Sequence, residues 1–371
     1  GSSRTPGRTP SKTDGRWTPM RALIVTPGVK VSVRLTSADE PTPSPSQALL
    51  RVREIGVCGT DLDLNQGFYG EAPPGSNYLI IGHESLSTVE SIPANAWKIS
   101  KGDLVVPTVR RPDTCMNCLN GESDMCLTGN YKEHGIKQLH GFGSDYAISD
   151  ISFLVKVPKE LANVAVLLEP TSVAEKGIYQ AFKIQERMLW KPKRALILGA
   201  GPVGLLTTYL LRLRGLEVVA TATRTKDSVK ARLVQRAGAT YVNTIEQPLQ
   251  SLGKFDLIME ETGSAQVAMQ ATGMLNTNGI MCFLGIYAST QAPEDIGEFY
   301  KDVVLGNKTF FGSVNANINY FKMGLKDLTK IQTRFRDILS DTISVRISPD
   351  EYPKAFTPDK DNIKTVIRFQ N

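Results

Sequence analysis

Histidine and cysteine are scarce in this sequence, which contains three histidines and five cysteines among 371 residues. No run of about eighteen apolar residues occurs, so the sequence predicts neither a membrane-spanning helix nor a membrane partner. The odd number of cysteines in a long chain does not fit a secreted disulfide framework. We therefore expect reduced thiols and a cytoplasmic protein, in which some cysteines are kept for metal binding.

A strong excess of charge of one sign is also missing. Forty-three basic side chains against 37 acidic ones give a net charge of +6. Residues 1–19 carry four basic residues and one acidic residue, so half of the excess lies there. The remainder is too small to indicate a nucleic-acid partner. Because residues 1–19 are rich in Ser, Thr, Pro and Gly, we expect a disordered tail, with residues left from expression favoured over a transit peptide.

The rest of the chain changes character near residue 185. Residues 20–184 begin with short β-rich runs separated by Gly and Pro, which are typical of a compact β domain. Residues 185–310 alternate apolar strands with helical patterns, and this alternation predicts an α/β domain with a doubly wound parallel sheet. Residues 311–371 leave that sheet, with a helical stretch and a final strand near 365–369.

A glycine motif indicates a dinucleotide site. Gly199, Gly201 and Gly204 follow a buried strand and open an apolar helix, with Pro202 and Val203 between the last two glycines. In this context the glycines permit a tight turn, the approach of a pyrophosphate and close packing of helix on strand. The pyrophosphate then lies at the helix N-terminus, where free N–H groups point at it.

The end of the second strand indicates which dinucleotide is preferred. An NAD site usually places a carboxylate there for the ribose hydroxyl, but the stretch 221–225 has none. Arg224 is instead suited to pair with a 2′-phosphate, and the hydroxyls of Thr223 and Thr225 can support it. We therefore predict NADP as the cofactor, with NAD as the possible alternative.

Two short motifs ahead of the nucleotide domain contain metal-ligand side chains. Cys58 lies in a Gly-Val-Cys-Gly-Thr-Asp stretch with Thr60 and Asp61, and His83 and Glu84 follow Gly82. A thiolate, an imidazole and a carboxylate suit zinc, and a catalytic zinc keeps one position open for water or substrate. Each residue alone could be a packing residue, but the two motifs together favour a metal site.

With these motifs the sequence resembles the zinc-dependent medium-chain dehydrogenases, from Met20 to the C-terminus. The resemblance implies a GroES-like β-rich catalytic domain, with a zinc lobe near 107–130, and a Rossmann nucleotide-binding domain, after which the chain returns to the catalytic domain. Within that family the chain is most similar to the archaeal-type glucose dehydrogenases, on the segments 107–112, 133–136, 139–142, 168–170 and 312–316.

The resemblance also implies roles at the catalytic zinc. Cys58 and His83 would bind the metal, with Glu84 and Glu169 as carboxylate ligands or exchange partners. Asp61 would orient the zinc histidine, which fixes the tautomer of the imidazole. Alcohol dehydrogenases of the family have a second cysteine where this chain has Glu169, so the site is expected to be less rich in thiolate.

Further positions correspond to the substrate contacts of the family. Thr60 would relay the proton of the substrate. Thr60, Glu84 and Glu169 would also contact the substrate. Glu133 would bind sugar hydroxyls, and Asn315 would lie near the sugar and the nicotinamide. The family has an aspartate where this chain has Val173, which puts one sugar contact in doubt.

The cysteine cluster is similar to the structural zinc lobe of the family. Cys115, Cys118 and Cys126 correspond to three of its four ligands, whereas the first ligand position is Pro112, which has no donor atom. Two interpretations stay open, in which Asp113 substitutes as the fourth ligand or the lobe holds no metal.

The remaining cysteine and histidines are expected to be packing residues. Cys282 falls within a predicted core strand, and His134 and His140 fall in loop regions.

Together these features predict a zinc-dependent enzyme that oxidises an aldose, glucose first, at C1 to the lactone with hydride transfer to NADP. Another polyol, sugar or secondary alcohol is the alternative substrate. A non-catalytic nucleotide-binding protein and a zinc-ribbon nucleic-acid reader are alternatives of other classes. By analogy with the family, we expect a homo-oligomer, either a dimer or a tetramer.

Overall fold

The computed structural model describes residues 19–94, 96, 98–286, 296–357 and 359–370. Residues 1–18 of the predicted tail lie outside this range, and Pro19 already belongs to the first strand. The helices are α1 (Gly59–Asn65), α2 (Met116–Leu119), α3 (Leu168–Gln185), α4 (Pro202–Leu213), α5 (Val229–Arg236), α6 (Ala265–Thr272), α7 (Ile296–Leu305), α8 (Ile318–Arg334) and α9 (Ile338–Thr342). Short 3-10 segments lie between them, including Ser123–Met125.

Nineteen strands are present in the described residues. They are β1 (Pro19–Val25), β2 (Arg34–Asp39), β3 (Gln47–Val57), β4 (Leu79–Ile80), β5 (Glu84–Ser91), β6 (Leu104–Pro107), β7 (Arg110–Arg111), β8 (Lys132–His134), β9 (Gln138–Leu139), β10 (Tyr146–Asp150), β11 (Leu154–Val157), β12 (Arg194–Leu198), β13 (Glu217–Ala222), β14 (Thr240–Asn243), β15 (Phe255–Glu260), β16 (Leu275–Phe283), β17 (Thr309–Gly312), β18 (Val345–Ile347) and β19 (Thr365–Arg368).

The N-terminal half forms a mainly antiparallel β domain. Its largest sheet has the order β11-β6-β5-β3-β19-β18, and β10 also pairs with β3. Strand β19 comes from the end of the chain, and Val366 lies opposite Gly56 of β3, which in turn lies opposite Glu84 of β5. The C-terminal segment therefore completes the catalytic sheet beside one of the predicted metal ligands.

The middle of the chain forms the parallel sheet that the alternating pattern predicts. Its order is β14-β13-β12-β15-β16-β17, with every pairing parallel. Strands β12 and β15 are buried almost throughout, because helices cover both faces of such a sheet and apolar side chains are needed on each. The order reverses between β12 and β15, which is where ligands bind to doubly wound sheets.

Helix α3 connects the two domains. Its buried residues include Glu169 at the first turn and the charged pair Glu175 and Lys176 in the middle. One apolar core runs from the β domain across this helix to the parallel sheet, and Leu86, Ile178 and Ile197 all belong to it. The two domains thus pack as neighbours around α3. Among the described residues, no helix has the length and apolar character to cross a membrane.

Candidate active site at the domain cleft

The site begins where β3 ends and α1 starts. Cys58 is the N-cap of α1, and its sulfur accepts a hydrogen bond from the Thr60 N–H at 3.3 Å. In return the Asp61 carboxylate accepts from the Cys58 N–H at 3.0 Å. This reciprocal capping fixes the thiol at the start of the helix, so that the local sequence determines where the sulfur lies.

A second element brings the predicted histidine to this thiol. His83 and Glu84 are buried where β5 begins, and the Nε2 of His83 lies 3.2 Å from the sulfur of Cys58. The Nδ1 of His83 lies 3.6 Å from Asp61, on the side away from the sulfur. The ligand atoms of Cys58, His83 and Glu84 all fall within 4.8 Å of one another. The structure therefore brings together three of the four predicted ligands.

The electrostatics of this group suit a cation. Burial alone would lower the pKa of His83, but the negative charges of Cys58 and Asp61 outweigh it and hold that pKa well above the usual value. A buried cluster of negative groups is stabilised by a positive partner. The soft sulfur, the imidazole and the carboxylate are also the donors that zinc prefers, so the residues fit a zinc ion.

Close packing keeps the carboxylate of Glu84 in place. A Cβ atom on Gly56 would overlap with the Oε2 of Glu84, so only glycine fits opposite this residue. On the other side, Lys364 donates a hydrogen bond to the Oε1 of Glu84 at 2.7 Å. Lys364 is 1% exposed and lies just before β19. Burial acts to lower the pKa of Lys364, but Glu84 and Cys58 together raise it above the usual value.

Glu169 lies outside the compact group of three ligands, in the wall of the same cavity. The cavity has a volume of about 600 Å³ and reaches from Cys58 to Val203 of the nucleotide domain. Burial raises the pKa of Glu169 to about 7, with His83 opposing and Glu84 adding to the shift. Glu169 therefore lies beside the group of three predicted ligands and is not part of it.

Two hydroxyl groups line the cavity that contains the three predicted zinc ligands. Thr60 lines the cavity and interacts through its hydroxyl with Tyr69, which also lines it. Burial raises the pKa of Tyr69 to about 12, so its hydroxyl stays protonated at neutral pH. The two side chains can pass a proton between them toward the surface, because each hydroxyl both donates and accepts.

The predicted sugar-binding residues meet on the opposite wall. Glu133 is buried and forms an ion pair with Arg110 at 2.9 Å. The side-chain nitrogen of Asn315 lies 3.5 Å from the same Glu133 carboxylate, whereas the buried oxygen of Asn315 has no hydrogen-bond partner. Val173 also faces this cavity, where the family has an aspartate. The unpaired oxygen is thus available to a ligand hydroxyl.

The glycine turn has the geometry of a dinucleotide site. Gly199 has a φ of +107°, which a residue with a side chain rarely adopts, and Gly201 is the N-cap of α4. A Cβ atom on Gly204 would overlap with the carbonyl of Gly199. Pro202 occupies the first turn, where its missing N–H costs nothing. The first N–H groups of α4 have no partner within the helix, and Val203 of its first turn lines the cavity between the domains.

The predicted selectivity residues follow β13 as expected. Thr223 and Thr225 are exposed, and the carbonyl of Arg224 accepts a hydrogen bond from Tyr241 at 2.8 Å. A second cavity of about 330 Å³ opens beside Thr223, lined also by residues from the loops after β14 and β15. The loop that contains Arg224 therefore borders an open cavity at the end of the parallel sheet.

The cysteine lobe does supply a fourth donor. Asp113, Cys115, Cys118 and Cys126 place their ligand atoms within 4.8 Å of one another. The Asp113 carboxylate accepts from the Cys115 N–H at 2.8 Å and lies 3.4 Å from the sulfur of Cys126. Of the two interpretations that the sequence left open, this geometry favours Asp113 as the substitute ligand.

The other cysteine and histidines lie away from both groups. Cys282 is fully buried in β16, where burial raises the pKa of its thiol. His134 bonds to the carbonyl of His140 at 2.7 Å and stacks on Phe142, and burial lowers its pKa to about 3. His140 accepts from the Ile80 N–H. All three are packing residues, as the sequence indicated.

The sequence did not reveal several residues of the site. Lys364, Arg110 and Tyr69 were not predicted as site residues, although each lies at the site. Arg110 falls in the segment 107–112 that carried the family resemblance, and Lys364 could have been suspected as a lone lysine beside an apolar final strand. Tyr69 follows α1 closely and offers no signal beyond its type.

Two protein families match the chain over almost its whole length. Residues 44–159 match the family described as "Alcohol dehydrogenase GroES-like domain", and residues 162–369 match the one described as "Glucose dehydrogenase C-terminus". The second match alone covers more than half of the chain.

Individual proteins show the same similarity. The "Glucose 1-dehydrogenase 1" of Caldivirga maquilingensis is 46% identical, over 94% of this chain and 99% of its own. The "Glucose 1-dehydrogenase 2" of Vulcanisaeta moutnovskia is also 46% identical, with the same coverage. A solved structure of Haloferax mediterranei glucose dehydrogenase, in complex with NADP, Zn and gluconolactone, is 31% identical with a TM-score of 0.88, covering 95% of this chain and 100% of the other.

Proposed function

The chain belongs to the glucose dehydrogenase family of zinc-dependent medium-chain dehydrogenases, and we propose that it oxidises glucose at C1 to the lactone with NADP. The observation that carries this proposal is the single cavity that joins the Cys58, His83 and Glu84 group to the nucleotide-binding turn. A hydride can pass directly between two ligands only if both enter one cavity that excludes water. The similarity to enzymes named for glucose supports the choice of sugar.

Zinc fits the first group, with Cys58 and His83 as ligands and Glu84 as the carboxylate that binds or exchanges. When bound there, zinc lowers the pKa of a hydroxyl group that contacts it, and NADP accepts the hydride. Asp61 faces the Nδ1 of His83, which leaves Nε2 free to bind the metal. Glu169, in the cavity wall, is placed to exchange with Glu84.

The other side chains bind the reactants and move the proton. Glu133 and Asn315 are placed to bind sugar hydroxyls, since the carboxylate accepts and the amide both donates and accepts. Arg110 holds the Glu133 carboxylate in position through their ion pair. Thr60 takes the proton of the reacting hydroxyl and hands it to Tyr69 at the cavity entrance.

We also propose that the lobe binds a second zinc ion through Asp113 and the three cysteines 115, 118 and 126. Four donors in one small group meet the coordination number of a structural site. Metal analysis of the purified protein should therefore give two zinc ions per chain, and Asp113→Ala should reduce this number toward one. An unchanged content in that variant would contradict the assignment.

We also propose that the protein forms a homo-oligomer, either a dimer or a tetramer. In the described part of the chain, strand β17 is the outer strand of the parallel sheet, with Val304 and Leu305 exposed close to it in sequence. An unpaired sheet edge with apolar neighbours is well suited to contact a second copy. Light scattering of the eluting protein should give a multiple of the chain mass, and a monomer would contradict this.

The substrate is tested with a panel of glucose, galactose, xylose, sorbitol and simple secondary alcohols. We expect the highest kcat/KM with glucose and NADP, loss of activity with a chelator, and recovery when zinc is returned. A higher kcat/KM with a polyol or an alcohol than with glucose would support the alternative substrate class. No activity in the whole panel would favour a non-catalytic nucleotide-binding protein.

A further inference from the structure

A buried lysine lies outside the machinery described so far. Lys176, in the middle of α3, is only 1% exposed. Its Nζ lies 2.9 Å from the carboxylate of Asp124 and donates a hydrogen bond to the carbonyl of Val314 at 2.8 Å. A buried ammonium group is tolerated only where its charge and its N–H groups are satisfied. The lysine therefore joins the segment that contains Asp124 to the segment that contains Val314.

Asp124 belongs to the cysteine lobe. It lies in the 3-10 segment Ser123–Met125, two residues before Cys126. Its second carboxylate oxygen accepts a hydrogen bond from the side chain of Asn317 at 2.8 Å. Asn317 is the N-cap of α8 and is itself buried. One lobe carboxylate thus fixes both Lys176 and Asn317.

These two contacts lie on either side of Asn315, the predicted sugar and nicotinamide contact. Val314 precedes Asn315 and is held by Lys176, whereas Asn317 follows it and is held by Asp124. Asn315 has a φ of +59°, in the left-handed region. Asparagine adopts this conformation more readily than most residues with a side chain, and here contacts on both sides of Asn315 hold it. The orientation of Asn315 therefore depends on the Lys176–Asp124 pair.

The same lobe segment also reaches the second sugar-binding residue. Arg110 donates to the carbonyls of Ser123 and Asp124 at 3.3 and 3.4 Å. The guanidinium of Arg110 also forms the ion pair that holds Glu133. The contacts that flank Asn315 and those that hold Glu133, the two predicted sugar-binding residues, are thus both anchored on the neighbouring lobe residues Ser123 and Asp124.

We propose that the Lys176–Asp124 ion pair is a positioning link, through which the cysteine lobe holds Asn315 in its sugar-binding orientation, while Arg110 holds Glu133 from the same lobe segment. The proposal rests on the proposed function for the identity of the sugar. It gives the lobe a role in substrate binding, at a site that none of its cysteines touches. Lys176 is a positioning residue, because it acts through the backbone of Val314.

The first test replaces Lys176 by Met, which keeps the length of the side chain and removes the charge. We expect KM for glucose to rise about tenfold with a much smaller change in kcat, because the lost orientation weakens binding of the sugar. The Kd for NADP should change much less than KM for glucose, since the predicted phosphate contacts at the glycine turn and at Arg224 are separate from this link. Lys176→Arg should recover part of the lost affinity for glucose.

A matched control distinguishes the loss of the Lys176–Asp124 ion pair from the loss of any buried lysine. Lys308 is also buried, with Asp302 as its ion-pair partner, and it lies at the start of β17. Lys308→Met should leave KM for glucose unchanged. Asp124→Asn supplies a second variant if Lys176→Met folds poorly, because it keeps the size of the side chain and an acceptor for Asn317.

The coupling to the lobe is measured with a double-mutant cycle. Cys126→Ser weakens the lobe site, and alone it should raise KM for glucose as Lys176→Met does. In the double variant the two effects should not add, since both act through one link. Additive effects, an unchanged KM in Lys176→Met, or an equal loss of NADP affinity would each overturn the proposal. If the unmodified protein does not oxidise glucose, the proposed function itself fails.

Discussion

At the scale of single residues, Lys364 determines how Glu84 can act. The lysine is buried, and its Nζ bonds to the carboxylate that lies within the group of predicted zinc ligands. In the proposed zinc complex, the lysine and the zinc ion are two cations that share the Glu84 carboxylate. Lys364 forms an ion pair with Glu84 when no metal is bound, so the buried carboxylate has a positive partner in both states.

Lys364→Met should therefore destabilise the metal-free protein more than the zinc-loaded protein. Breaking one side of a buried ion pair costs about 3–5 kcal/mol, and bound zinc compensates part of that cost. The increase in Tm on adding zinc should be larger in the variant, as measured by thermal unfolding with a chelator and with zinc. Lys364→Arg keeps the charge and is the control. Equal losses of Tm under both conditions would show that lysine and zinc do not share Glu84.

Arg224 is the residue that we predict to determine cofactor selectivity. Hydrogen bonds between charged groups contribute about 1.5–3 kcal/mol, so Arg224→Asp should lower the NADP/NAD ratio of kcat/KM by about ten- to a hundredfold. Arg336→Asp makes the same charge change at a side chain that is 93% exposed. This control should keep the ratio of the unmodified protein. An unchanged ratio in Arg224→Asp would refute the assignment of the 2′-phosphate site.

At the scale of elements, helix α1 combines capping with ligand placement. Asp61 caps the helix through the Cys58 N–H and also faces the imidazole of His83. Helix capping affects stability, whereas orientation of the imidazole affects metal binding. The two roles can be separated, because asparagine keeps the capping oxygen but not the negative charge.

Asp61→Ala should lose about 1 kcal/mol of stability through the cap and about ten- to a hundredfold in zinc affinity or activity. Asp61→Asn should recover most of the stability while the zinc affinity stays low. Denaturant unfolding in the absence of metal and competitive zinc titration measure the two quantities. Recovery of both by asparagine would mean that the charge of Asp61 does not act on His83.

At the scale of the whole molecule, the sequence predicted the fold because its signals are local. The glycine turn at 199–204 follows a buried strand, and the alternation of strands and helices around it gives the parallel sheet. Cys58 and His83 were identified in the same way, each within a short motif. The return of the C-terminal strand to the β domain came only from resemblance to a family.

The contacts that complete the site could not be predicted from local patterns. Lys364 meets Glu84 because β19 pairs with β3 some 300 residues away, and this register has no sequence signature. Lys176 meets Asp124 because α3 packs against the lobe. Asp113 appeared as one of two open interpretations, and only the folded lobe shows its carboxylate beside the sulfur of Cys126.

The transfer of hydrogen from C1 of glucose tests the central claim most directly. The zinc-loaded protein is incubated with NADP and with glucose that carries deuterium at C1, and the nicotinamide product is examined by mass spectrometry and NMR. Our account predicts one deuterium at C4 of the NADPH, gluconolactone or gluconate as the sugar product, and no transfer after removal of zinc. Unlabelled NADPH, or the same transfer without zinc, would contradict it.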